Sequence, residues 1–290
     1  MSVLTADPDT LAGVLAEAWG GDTVRLVGAF ADIRLPKVAY APWLTLDCRK
    51  ATVGQVLGVS LSGLRIVGGR FAGLKFDGVS NVQVEEATIT GDGTGFGVQF
   101  LRSRGVASRY CRISGVRVGV GHGYVEGFEA SGHAISGVTA DGITAGCSRK
   151  GLIDGNVIWG SAPYEGAHGD GVQLWSRPDA PPTADIIIRG NAITGDTMGI
   201  NGFDRPGDGG FDRITVSANR VTVNRPNGMA FINARRLIVT DNAVSTLAGS
   251  TYQAKINLTN CPDVERGGNT VAAYRRKPAI IDPRPMEPRA

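Results

Sequence analysis

A nine-residue segment recurs ten times along this chain, and that recurrence constrains the fold more than any other feature. DTVRLVGAF (22–30), GLRIVGGRF (63–71), NVQVEEATI (81–89), KGLIDGNVI (150–158), RITVSANRV (213–221) and RLIVTDNAV (236–244) are six of the copies, all in one register. Each ends on an apolar residue. With Val53 filling a weaker second rung, these closing residues fall at 30, 53, 71, 89, 113, 135, 158, 193, 221, 244 and 271. Most intervals suit one turn of a solenoid, whereas the 35 residues before Ile193 and the 28 before Val221 mark insertions.

Two positions before the closing residue stand Asn156, Asn191, Asn219, Asn242 and Asn269, in five consecutive turns. An asparagine in the same bend of stacked coils can take the left-handed conformation and bond its neighbours above and below, so a structural ladder is expected. His133 occupies the same position one turn earlier. A second short strand follows in each turn (GFGVQF, VGVGH, ADGITA, GDGVQLW, MGINGF, NGMAFIN), with apolar residues alternating. In it Gly97, Gly119, Gly142, Gly171, Gly199 and Gly228 align. The expected fold is all-β: a right-handed parallel β-helix of about ten to eleven coils, residues 22–275. Residues 1–21 would form a helical cap, with Asp7 or Asp9 at its start, Leu11, Val14, Leu15 and Trp19 on one face, and Gly20 and Gly21 at its end. Residues 276–290, rich in Pro and Arg, cannot continue the coil and would lie on its last turn or on a neighbouring subunit.

Composition agrees with many tight corners, since 42 of 290 residues are glycine without a collagen period. A net charge of +3 from 30 basic and 27 acidic residues leaves no concentrated patch for nucleic acid. No apolar run approaches the ~20 residues that span a bilayer, so no membrane partner is expected. MSVLTADPDT lacks the basic and apolar regions of a secretory signal, which leaves localisation open between an intracellular site and extracellular or virion-associated action. Cys48, Cys111, Cys147 and Cys261 show no metal-type spacing and read as free thiols.

With this coil the sequence resembles the pectate-lyase-like superfamily, which includes polysaccharide lyases, polygalacturonase-like hydrolases and phage tailspikes. The opening, a helix followed by GGDTVRLVGAF, is similar to the start of many members. The resemblance implies a polysaccharide bound along the outside of one sheet, and it leaves oligomeric state open between monomer and trimer. TADGI (139–143) is similar to the NTDG motif of polygalacturonases, whose aspartate is catalytic. Their Gly-His-Gly follows the acids, however, whereas GHG here (121–123) precedes them, and no Arg-Ile-Lys follows.

The insertions place the candidate site. The first, WGSAPYEGAHGDGVQLW (159–175), carries Tyr164 and His168, and the second, GFDRPGDGGFD (202–212), carries Asp204 and Arg205. Asp141 and Asp170 precede aligned glycines in adjacent turns, so their carboxylates should lie about 5 Å apart. Such a pair can divide acid and base roles, and Asp-Gly also caps turns. His168 beside Asp170 would serve as general base. The expected catalytic set is therefore His168, Asp170 and Asp141. Gln173, Trp175, Arg177, Asn201, Asp204, Arg205, Tyr164 and His122 are the expected substrate contacts: aromatic faces for sugar rings, an outward row of Gln99, Thr144, Gln173 and Asn201 for hydroxyls, and arginines for substrate charge. The three histidines sit in different turns, so no metal site is expected; no cofactor is expected, Ca²⁺ being possible in such a coil but not indicated by these residues. Two readings stay open: an enzyme that cleaves or epimerises a glycan, and a non-catalytic glycan-binding or structural spike of a phage-like particle.

Overall fold

The computed structural model describes residues 1–161, 163, 169–203 and 210–272. They form a parallel β-helix with three strands per coil, every strand pairing with its counterpart one coil away. The first sheet contains Phe96–Leu101, Val118–Gly123, Ile143–Gly146, Asp170–Trp175, Met198–Gly202, Asn227–Ile232 and Lys255–Thr259, preceded by Arg70–Asp77. The second runs from Ser62–Val67 to Glu265–Gly267, and the third from Thr88–Thr90 to Thr270–Val271. In the early coils the corners straighten into one 21-residue strand, Ala39–Val59, which pairs with Ser62–Val67 of the second sheet at its start and with Arg70–Asp77 at its end.

The eleven closing residues stack in one file: Phe30, Val53, Phe71, Ile89, Ile113, Ile135, Ile158, Ile193, Val221, Val244 and Val271, each in register with the next. Period-two alternation sends these, all but the exposed terminal Val271, and the other inward side chains into one continuous core. Against this file packs the glycine column. A Cβ on Gly142 would stand 2.6 Å from the Gly171 carbonyl oxygen and 2.8 Å from Ile158 Cγ2, so only a bare backbone lets the coils stack at this corner.

The asparagine ladder is continuous. Asn156 Nδ2 donates to Asn191 Oδ1 (2.9 Å), Asn191 to Asn219 (2.9 Å), Asn219 to Asn242 (3.0 Å) and Asn242 to Asn269 (2.9 Å). Each Oδ1 also accepts the backbone N–H of the preceding asparagine at 3.0 Å. His133 completes the file: its N–H donates to Asn156 Oδ1, and its Nδ1 accepts the Cys111 N–H. One detail differs from expectation. The left-handed residue is the one before each ladder position, namely Gly132, Gly155, Gly190, Ala218, Asp241 and Gly268. That residue turns the corner, which leaves the asparagine free to point inward and reach a strand carbonyl, as Asn219 does at Ile188 (2.9 Å).

At the N-terminal end Val3–Ala6 pairs with Thr23–Leu26, so a strand precedes the helix, Leu11–Glu17. Asp7 Oδ1 accepts the Thr10 N–H at 2.9 Å, and Leu15 is buried with Leu11 and Val14 packed beside it. Trp19 does not share that face. The chain turns extended at Ala18, and Trp19 stands 79% exposed. Cys48, Cys111 and Cys147 are buried free thiols and Cys261 is partly exposed; burial pushes Cys48 and Cys111 up to about 12. The expected tail, 276–290, lies outside the described residues.

Candidate active site on the outer face of the first sheet

Asp170 opens its strand and is fully buried. Its Oδ1 accepts from Asn201 Nδ2 on the next coil, and its Oδ2 accepts from Gln173 Nε2 at 3.0 Å. Its backbone N–H donates to Asp141 Oδ1, 2.9 Å away on the preceding coil. The Gly142 N–H, in turn, donates to the Asp170 carbonyl at 2.8 Å, which fixes the two aspartates on adjacent rungs. Asp141 thus caps its neighbour's turn while its partly exposed carboxylate stays beside the buried one. Coil stacking therefore brings Asp141, Asp170, Gln173 and Asn201 together from residues up to 60 apart in the chain.

The outward row is Lys75, Gln99, Gly121, Thr144, Gln173 and Asn201, each in register with the next. Gln99 and Gln173 are partly exposed, as a surface row requires. Thr144 departs from it, being buried, and so does Asn201. Its side chain is fully buried because its amide turns to Asp170, and its Oδ1 has no partner among the described residues. A buried acceptor left without a donor costs about 1–3 kcal/mol, a cost that sites able to receive a hydroxyl or water can recover on binding.

Trp175 lies two residues beyond Gln173 on the same outer side. Its indole covers Gly146 and meets Tyr124 edge-on at 6.1 Å. Arg177 is exposed and pairs with Asp179 at 3.0 Å, which holds its guanidinium above its ordinary pKa. Tyr124 opens onto a groove of about 540 Å³. Trp175 and Arg177 therefore sit toward that corner. Tyr164, His168, Asp204 and Arg205 lie outside the described residues, as does the Glu165 of the same insertion.

His122 is not a substrate contact. Alternation along Val118–Gly123 turns it inward, where it stacks on Phe128 at 4.3 Å and on Phe100 at 5.7 Å. Neither ring nitrogen has a hydrogen-bond partner among the described residues, and burial lowers its pKa to about 3. Burial also lowers His133, to about 4. Both folded values lie below the ordinary 6.5, so the unfolded chain binds more protons between these limits. The stability they contribute is fully present above pH ~6.5 and is lost as the pH falls, at about 1.4 kcal/mol per unit for each histidine. Acid titration of the unfolding free energy should show this slope. His122→Phe should roughly halve it and, by removing two unpaired nitrogens, raise stability at neutral pH by about 1 kcal/mol.

No group of three or more His, Cys, Asp or Glu suited to a metal ion occurs among the described residues. No protein-family model and no curated protein matches the chain. Solved structures do. The A-module of a mannuronan C-5 epimerase from Azotobacter vinelandii aligns over 92% of this chain and 94% of its own, at 13% identity and a TM-score of 0.57. The Dettilon tailspike protein aligns over 90% of this chain at 13% identity and a TM-score of 0.62, and a family 28 exopolygalacturonase from Yersinia enterocolitica over 89% at 9% and 0.59. These likenesses show the fold, a parallel β-helix. This β-helix spans 57% of the tailspike chain and 62% of the exopolygalacturonase chain. Those neighbours differ in what they do, so the shared coil positions a site without choosing its reaction.

Two features of the site escaped sequence reasoning. Lys75 and Phe96 lie on or against the outward row, and extending the Gln99 column one rung toward the N-terminus would have found the lysine.

Proposed function

We propose that this β-helix processes a polysaccharide laid along the outer face of its first sheet, cleaving it as a lyase or hydrolase or epimerising it, with Asp170 and Asp141 handling the protons. The observation that carries the reading is the buried Asp170 carboxylate, gripped by two side-chain amides one rung from a second carboxylate and set in a row of amide and hydroxyl side chains. A structural turn cap needs only backbone donors; here side chains of two coils are spent on orienting one carboxylate. Paired carboxylates can divide the roles of acid and base or nucleophile, and the row supplies hydroxyl recognition along an extended chain. His168 belongs to this proposal as a general base by its sequence position, with Tyr164, Asp204 and Arg205 as substrate contacts; Gln173 and Asn201 orient the carboxylate.

The second reading, a binding module without turnover, is favoured by the ion pairing of Arg177 with Asp179, which leaves that cation engaged. Incubation with a panel of acidic and neutral polysaccharides, with and without a chelator, separates the two. Size-exclusion chromatography reads chain length and NMR reads sugar configuration. Shortened chains or inverted centres support the enzyme, and retention of intact, unchanged polymer supports the binding module. Absence of both binding and change across the panel contradicts the proposal.

A further inference from the structure

The outward row does not stop at the aspartates. Four rungs from Gln173 toward the N-terminus, about 19 Å at the ~4.8 Å strand spacing, it reaches Lys75, whose side chain is exposed, before continuing through Leu57 to Arg34. Among the described residues Lys75 forms no ion pair and no side-chain hydrogen bond. Between it and the aspartates the row is interrupted at Gly121. The partly exposed ring of Phe96 fills this gap: its Cε1 and Cδ1 lie 2.6 and 2.8 Å from where a Gly121 Cβ would be, so only glycine lets the ring rest on the strip. Beside them opens a groove of about 590 Å³, lined by Gln55, Lys75, Phe96 and Gln99 and walled by Thr90–Phe96. Asp92, the carboxylate of that wall, is turned onto the Thr94 N–H (3.0 Å) and hydroxyl (2.6 Å), bonds that hold its pKa below the ordinary value and engage it locally.

We infer that this groove is a distal subsite for a uronic acid unit, and that the polymer bound by the protein is therefore an acidic polysaccharide. The Lys75 ammonium meets the sugar carboxylate, Gln55 and Gln99 meet its hydroxyls, and Phe96 supports the apolar face of a ring on the path to the aspartates. This rests on the reading that the first sheet carries a glycan, and adds to it the sign of the substrate's charge and the direction in which the chain runs.

The test is binding of oligogalacturonate, oligomannuronate and a neutral glucan of matched length to the wild-type chain and to Lys75→Gln, by calorimetry at low and high salt. Lys75 is exposed and its replacement leaves the core untouched. The expected result is that wild type binds at least one of the two acidic oligomers in preference to the glucan. Lys75→Gln should weaken that binding about tenfold, with most of its salt dependence lost and glucan binding unchanged. Wild type that prefers the neutral glucan, or a variant that binds acidic oligomers as wild type does, overturns the subsite while leaving a glycan-processing protein standing. Failure of wild type to bind or alter any polysaccharide overturns both.

Discussion

Asp170→Asn should lower turnover on the polysaccharide that the protein processes by about 10²–10⁴-fold, the range typical for loss of a positioned acid–base group. Two effects combine. An amide at 170 cannot exchange protons, and it must aim its own N–H₂ at one of the two amide donors, Asn201 Nδ2 or Gln173 Nε2, that now grip the carboxylate. Asp141→Asn is the informative partner. Its Oδ1 can still accept the Asp170 N–H, so a comparable loss of turnover assigns Asp141 a share in the chemistry, whereas near-normal turnover makes it a positioning residue. Circular dichroism and the thermal midpoint show whether either variant keeps its coil. Full turnover by a folded Asp170→Asn protein would remove the proposed chemistry.

Asn219→Ala should destabilise the protein by about 3–5 kcal/mol, a loss reserved for a few mechanisms, of which breaking a buried polar network is one. Asn219 is buried in mid-ladder. Its side chain donates to the Ile188 carbonyl and to Asn242 Oδ1, and accepts from the N–H and Nδ2 of Asn191. Alanine removes all four bonds and leaves partners in the interior without water to replace them. Asn257→Ala provides the contrast. Its Nδ2 donates to Asn227 Oδ1 on a partly exposed face, so the cost should be below about 1 kcal/mol. Urea unfolding of both variants measures the difference; equal losses would mean that the ladder is not a continuous support.

How far the sequence is legible follows from the same physics. The closing residues and the asparagines are legible because every coil meets the same constraint at the same place, so a local pattern repeats and one register satisfies all of it. The left-handed residue was misplaced by one position because its backbone role falls to Gly, Ala and Asp alike, which carry no common side-chain signal. His122 was misread because its polarity suggested a surface role, while strand alternation, also visible in VGVGH, turns it inward with Val118 and Val120. In Asp170 and Asn201 the column was legible but the burial was not. Which outward polar groups are covered depends on side-chain contacts between coils, and no single segment encodes those. Trp19 shows the same limit at a helix end: its spacing fits the apolar face only if the helix continues past Glu17, and the chain has already turned extended.

The candidate site exists only if residues far apart in sequence become vertical neighbours. Thr222 and Ser245 test this directly, as partners on adjacent coils whose hydroxyls meet at 2.7 Å. Cysteines at both positions would stand within reach of a disulfide, and a Thr222→Cys, Ala243→Cys pair, shifted by two residues, would not. Under mild oxidation, intact-mass and peptide mapping should find the 222–245 cross-link in high yield and no 222–243 cross-link. The reverse pattern, or equal yields from both pairs, would contradict the stacked register and the site built upon it.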